Sequence, residues 1–184
     1  AAFGNCPKLV KITIPKAIKT AGGEYGFGLY NYGPFFGCKN LKTVILENGI
    51  KTIPALLFAK CYGLENIEIP ESVTTIGDSA FLECTAMNSI DIASGVTKIG
   101  SSVFQGCTSL EKITIPDNVT SIEDDTFANC TSLKEITVPG SVTNIERNAF
   151  AKTLWLTEKQ KENPLVIVNG ILIDGTACTD SVTI

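Results

Sequence analysis

Apolar side chains recur along this chain on a beat of 23 residues. Cysteines stand at 38, 61, 84, 107 and 130, and phenylalanines keep the same interval three positions earlier, at 35, 58, 81, 104 and 127, with Phe150 next. Phe3 and Cys6 belong to the same series, but Cys6 and Cys38 are 32 apart, so one unit carries nine extra residues. A typical unit places Leu110, Ile113, Ile115, Val119, Ile122 and Phe127 at fixed distances after Cys107. The pair Ile113 and Ile115 alternates as a half-buried strand requires, with Lys112 and Thr114 on the opposite side. Proline follows the strand at Pro15, Pro70, Pro116 and Pro139, where a lost ladder N–H matters least. Then comes a second apolar pair such as Val73 and Ile76, and Gly77-Asp78-Ser79-Ala80-Phe81 predicts a turn whose Asp or Ser caps one short helical turn. A unit this small cannot bury its apolar side alone, so the units must stack. The pattern therefore predicts a solenoid with strand beside strand and continuous apolar columns.

The spacing of Leu, Ile, Ile-Pro, Val, Ile, Phe and Cys, repeated in tandem from Phe3 to Phe150, resembles the BspA-like class of leucine-rich repeats. The resemblance implies an α/β leucine-rich-repeat solenoid, a right-handed superhelix with one parallel sheet on one face and short helical turns on the other. It also implies a bacterial or protist surface or secreted protein that serves in adhesion or protein interaction. Periodicity itself gives architecture only.

The period fails twice. Residues 20–34 hold the insertion, with glycines at 22, 23, 26, 28 and 33 that forbid a helix and four rings, Tyr25, Phe27, Tyr30 and Tyr32, on a loop. Those rings either plug a gap between coils or contact a partner, protein or glycan. After Phe150 a threonine, Thr153, takes the cysteine position. Leu154-Trp155-Leu156 leads into a run of helix formers that ends at Asn163-Pro164, which predicts a short amphipathic helix. Leu165–Val168 and Ile171–Ile173, joined by Asn169-Gly170, predict a β-hairpin with a type I′ turn. Ser181–Ile184 reads as the start of another strand cut short. The chain thus divides into a repeat array over 1–153 and a helix-and-hairpin segment over 154–184, the whole being expected as a slice of a longer array.

Composition narrows the chemistry. There are 15 Lys and Arg against 19 Asp and Glu, a net charge of −4, and no histidine. No Ser-His-Asp or Cys-His pair can form, and no imidazole can ligate a metal. An acidic balance of this kind makes nucleic acid a poor partner. No apolar run reaches the roughly 20 residues that span a bilayer. The seven cysteines include no Cys-x-x-Cys, so the six on the beat are expected to stack as a buried column, and Cys178 outside it is expected to be the reactive thiol. Glu123-Asp124-Asp125 lacks the spacing of a calcium loop. Glu68 and Asp91 lie one period apart on outward strand positions, near enough for a paired-carboxylate mechanism, but the face around them is an open mixed surface.

The expectation is a non-catalytic extracellular recognition or adhesion module, without cofactor or metal and monomeric. Its contact surface would be the outward residues Lys11, Thr43, Asn66, Glu68, Ser89, Asp91, Lys112, Thr114 and Glu135 together with Tyr25, Phe27, Tyr30 and Tyr32. The alternatives are a structural spacer in a larger surface protein, and a carbohydrate-binding module that uses the insertion rings.

Overall fold

The computed structural model describes residues 3–18 and 33–174. The insertion rings Tyr25, Phe27, Tyr30 and Tyr32, Cys178 and the strand expected at 181–184 lie outside the described residues. Six coils follow one another, beginning at Cys6, Cys38, Cys61, Cys84, Cys107 and Cys130.

Two parallel ladders form where one was expected. The first runs through the alternating segment of each coil. Strands β1 (Lys11–Ile14) and β2 (Thr43–Leu46) pair in register, Glu68 and Asp91 make a single parallel bridge, and β6 (Lys112–Thr114) pairs with β8 (Glu135–Thr137). The second lies at the other apolar pair. There β3 (Thr52–Ile53), β4 (Thr75–Ile76) and β5 (Lys98–Ile99) make one sheet, and β7 (Ser121–Ile122) pairs with β9 (Asn144–Ile145). One isoleucine of each two-residue strand points inward, and from Ile53 to Ile122 it is buried.

The segment around each phenylalanine is not helical, contrary to the expectation of a short helical turn. Around the ring of each coil from the second to the sixth, two residues have positive φ, one two positions before the ring and one two positions after it. They are Leu56 and Lys60, Ser79 and Glu83, Ser102 and Gly106, Asp125 and Asn129, Asn148 and Lys152. Left-handed residues interrupt any helix, and for non-glycine residues they cost energy that other bonds must offset. Those bonds run between coils. The N–H groups of Ser79, Phe81 and Glu83 donate to the carbonyls of Ser101, Val103 and Gln105 on the next coil, while Ala80, Leu82 and Cys84 donate to carbonyls three residues back. Asp78 caps no helix either. Its Oδ1 accepts from the Ser101 N–H at 3.1 Å, filling the space that a Cβ on Gly100 would need.

The core is a set of columns. Phe3, Phe35, Phe58, Phe81, Phe104, Phe127 and Phe150 stack nearly parallel with centroids 5.5–6.0 Å apart. Beside them Cys38, Cys61, Cys84, Cys107 and Cys130 are buried free thiols. Each Sγ donates to the carbonyl of the phenylalanine one level down the stack from the ring three residues before it, as Cys84 does to Phe58 at 3.3 Å and Cys130 to Phe104 at 3.0 Å. Burial raises these thiols, Cys61 and Cys130 to about 12 and Cys84 and Cys107 well above their ordinary value.

The array closes on the C-terminal segment. Buried Thr153 cannot continue the thiol column. Its Oγ1 donates to the Phe150 carbonyl of its own coil and accepts the Leu156 N–H at 3.1 Å, so it caps α1 (Leu154–Glu162). The helix starts three residues before the run of polar helix formers, and no residue in it is fully buried. Only Trp155 and Leu156 pack on the core, with the indole 5.0 Å from the Phe150 ring. The hairpin of β10 (Val166–Val168) and β11 (Ile171–Asp174) turns through Asn169 and Gly170, both at positive φ, as the sequence required. Asn169 Nδ2 donates to the carbonyls of Pro139 and Val142, fastening the turn to the sixth coil.

Candidate functional site

Parallel pairing fixes where the outward side chains go. Lys11 stands beside Thr43, Lys112 beside Glu135 and Thr114 beside Thr137, and the bridge sets Glu68 beside Asp91. Asn66 and Ser89 occupy the same repeat position as Thr43 in the two coils between. Thus all nine described residues expected at a contact surface share one face. All are exposed except Ser89, which is half-buried and donates to Asn88 Oδ1 at 3.1 Å. Glu68 and Asp91 do sit side by side, and both are exposed.

The face is not flat. Among the described residues no strand pairing joins the second coil to the third at the first ladder, or the fourth to the fifth. A cleft opens at each seam. One of about 400 Å³ is lined by Val44, Ile45, Leu46, Asn48, Glu68, Pro70 and Glu71, and one of about 190 Å³ lies among Ser89, Asp91, Lys112 and Thr114. A third, of about 300 Å³, separates the last coil from the hairpin and is lined by Arg147, Leu156, Leu172 and Asp174. Among the described residues no three cysteines or carboxylates converge as a metal site would require, and no helix is long and apolar enough to cross a membrane.

Charge on the solenoid is segregated, which a count over the whole chain conceals. Residues 1–60 carry eight lysines against two glutamates, net +6, whereas residues 61–150 carry four cations against thirteen carboxylates, net −9. Ion pairs link neighbouring coils at Lys42–Glu65, Lys60–Glu83, Glu111–Lys134 and Asp124–Arg147, each too exposed to add much to stability. Reading charge along the chain in blocks of one coil would have found this segregation.

Comparison with known proteins gives the same picture. No curated protein matches the sequence. A leucine-rich repeat protein of T. pallidum has the same fold, with a TM-score of 0.74 at 24% identity over 96% of this chain and 78% of that one. A leucine-rich repeat protein from Bacteroides ovatus matches 82% of this chain at 26% identity with a TM-score of 0.54, and this chain spans only 43% of its length. Residues 29–157 match six copies of the BspA type leucine rich repeat region, and with 23-residue coils, a phenyl stack and a thiol column all in register, the chain belongs to the BspA-type leucine-rich repeat family.

Proposed function

We propose that the protein is a non-catalytic recognition module displayed outside the cell or on its surface, and that the first-ladder face contacts a macromolecular partner. The observation that carries this reading is the division of labour across the solenoid. Core columns repeat in every coil, while the outward positions of the first ladder vary from coil to coil and include lysine, threonine, isoleucine, asparagine, serine and carboxylates. Rigid scaffolds with variable polar faces suit recognition, and two clefts on that face give a protein ligand places to seat side chains. Family membership supports an interaction role and favours no catalytic one. A printed array of bacterial and host surface proteins and glycans, probed with the purified chain, is expected to yield protein ligands. The triple variant Asn66→Ala, Glu68→Ala, Asp91→Ala should lose them while unfolding at a denaturant midpoint no lower than that of the unaltered chain. Retained binding by that variant would move the contact to another surface, and ligands confined to glycans would favour the carbohydrate-binding alternative.

A further inference from the structure

The first-ladder face carries its charge in blocks of two coils. The first and second coils contribute exposed Lys11 on the strand itself and exposed Lys8, Lys39 and Lys42 in the segments that lead into the strands, with Lys42 paired to Glu65 of the third coil at 3.4 Å and Glu47, the one acid there, already accepting the Lys16 N–H at 3.0 Å. The third and fourth contribute exposed Glu65, Glu68 and Asp91 and no cation. The fifth and sixth are balanced by Glu111, Lys112, Lys134 and Glu135. The change of sign falls at the seam between the second and third coils, where the larger cleft lies. Ile45 stands at that seam with 42% of its surface exposed.

We propose that two copies of the chain pack antiparallel, face to face on the first ladder, about a two-fold axis through this seam. A two-fold contact must be complementary to itself. With the axis between the second and third coils, the first coil of one copy opposes the fourth of the other, and the second opposes the third. Lys8 and Lys11 then face the second copy's Asp91, Lys39 faces its Glu68, and the Lys42–Glu65 pair of each copy lies opposite that of the other with cation against carboxylate, each set occurring twice. Ile45 lies next to the axis and meets the second copy's cleft, so apolar contact adds to the charge pairing. A parallel arrangement would instead set lysine against lysine. Two coils extend about 10 Å, close to the screening length at physiological salt, so the blocks stay distinct there and strengthen as salt is lowered. The balanced fifth and sixth coils project past the partner and take no part.

Sedimentation velocity tests the arrangement. The wild-type chain is expected to pass from monomer to dimer with rising concentration at about 0.02 M salt and to dissociate at about 0.5 M. Lys11→Glu with Lys39→Glu should weaken the dimer at least about tenfold, as should Glu68→Lys with Asp91→Lys, because like charges then oppose one another. Mixing those two variants should restore a one-to-one dimer. All four positions are exposed, and matching denaturation midpoints would show that the variants fold. A chain that stays monomeric at low salt, a dimer indifferent to salt, variants that associate as the wild type does, or chains longer than a dimer would each overturn the proposal. The dimer covers the face proposed to meet a ligand, so a ligand bound there should dissociate it; failure to self-associate leaves the recognition reading standing, and an empty ligand screen leaves the dimer standing.

Discussion

On the turn side, every coil from the second to the fifth repeats three backbone bonds to its successor at the same positions, and from the second coil to the fifth the phenyl ring among them is fully buried. On the first ladder, pairing covers coils one and two, a single bridge between three and four, and coils five and six, with clefts at the two seams between. The same repeat thus has one side that holds the coils in register and another where pairing can lapse without separating them. Sequence identity from coil to coil follows that division. Phenylalanine and cysteine recur because each touches its own kind above and below, whereas outward residues meet solvent and can differ.

That contrast can be broken by experiment. The largest effect is expected inside the phenyl column, where Phe104→Ala removes a ring stacked on both faces and should lower unfolding stability by about 3–5 kcal/mol in urea titrations. Ile45→Ala on the open face should change it by less than about 0.5 kcal/mol, and equal losses at the two sites would erase the distinction. Next comes alkaline pH. Below the ordinary thiol value of 9.0 both folded and unfolded chains keep the cysteine protons, so the contribution of the column is complete there. Between that value and about 12 only the folded chain keeps those of Cys61 and Cys130, and stability should fall by about 1.4 kcal/mol per pH unit for each such thiol. Urea midpoints measured from neutral pH upward would show this, and Cys61→Ala with Cys130→Ala should flatten the decline.

A smaller effect is expected at the end of the array. Thr153→Ala deletes the cap on α1 and should cost about 1 kcal/mol, while Thr153→Ser should cost less, a difference that thermal unfolding can read. The smallest belongs to the open face. Asp91→Asn removes one of two like charges opposed across the bridge and should stabilise the chain by about 0.2–1 kcal/mol, with slower amide exchange at Glu68 and Asp91. No change in exchange would mean that the carboxylates do not weaken pairing there.

The parts of this structure most legible from sequence are those where each residue meets its own repeat-mate. Phe81 and Cys84 could be placed in columns, and Lys112 beside Glu135, because stacking at a fixed period leaves no freedom of register. The Asn169-Gly170 hairpin was legible for a local reason, since both residues accept the positive φ that its turn demands. The second ladder was hidden because strands such as Thr75–Ile76 are two residues long and show no alternation. The left-handed turns were hidden in the second and third coils, where Leu56, Lys60, Ser79 and Glu83 carry none of the glycine or asparagine signature of positive φ, whereas Gly106, Asn129 and Asn148 at the same repeat positions did carry it. Among the expected contact residues the face was legible, but its two seams were not, because Val44 to Leu46 and Ile67 to Ile69 read alike in sequence while only the first forms a regular strand.

The alternation of bonds around each phenylalanine also bears on how such an array can change length. Phe58, Phe81, Phe104 and Phe127 all hand their N–H upward, to Ala80, Val103, Thr126 and Ala149, while Gly77 and Gly100 hand theirs downward to Ile53 and Ile76. Each whole turn therefore presents the same plug above and socket below, and deleting or duplicating 23 residues would leave both junctions matched. Gene duplication could lengthen the molecule without redesigning its ends, while point changes on the open face give each new turn its own character.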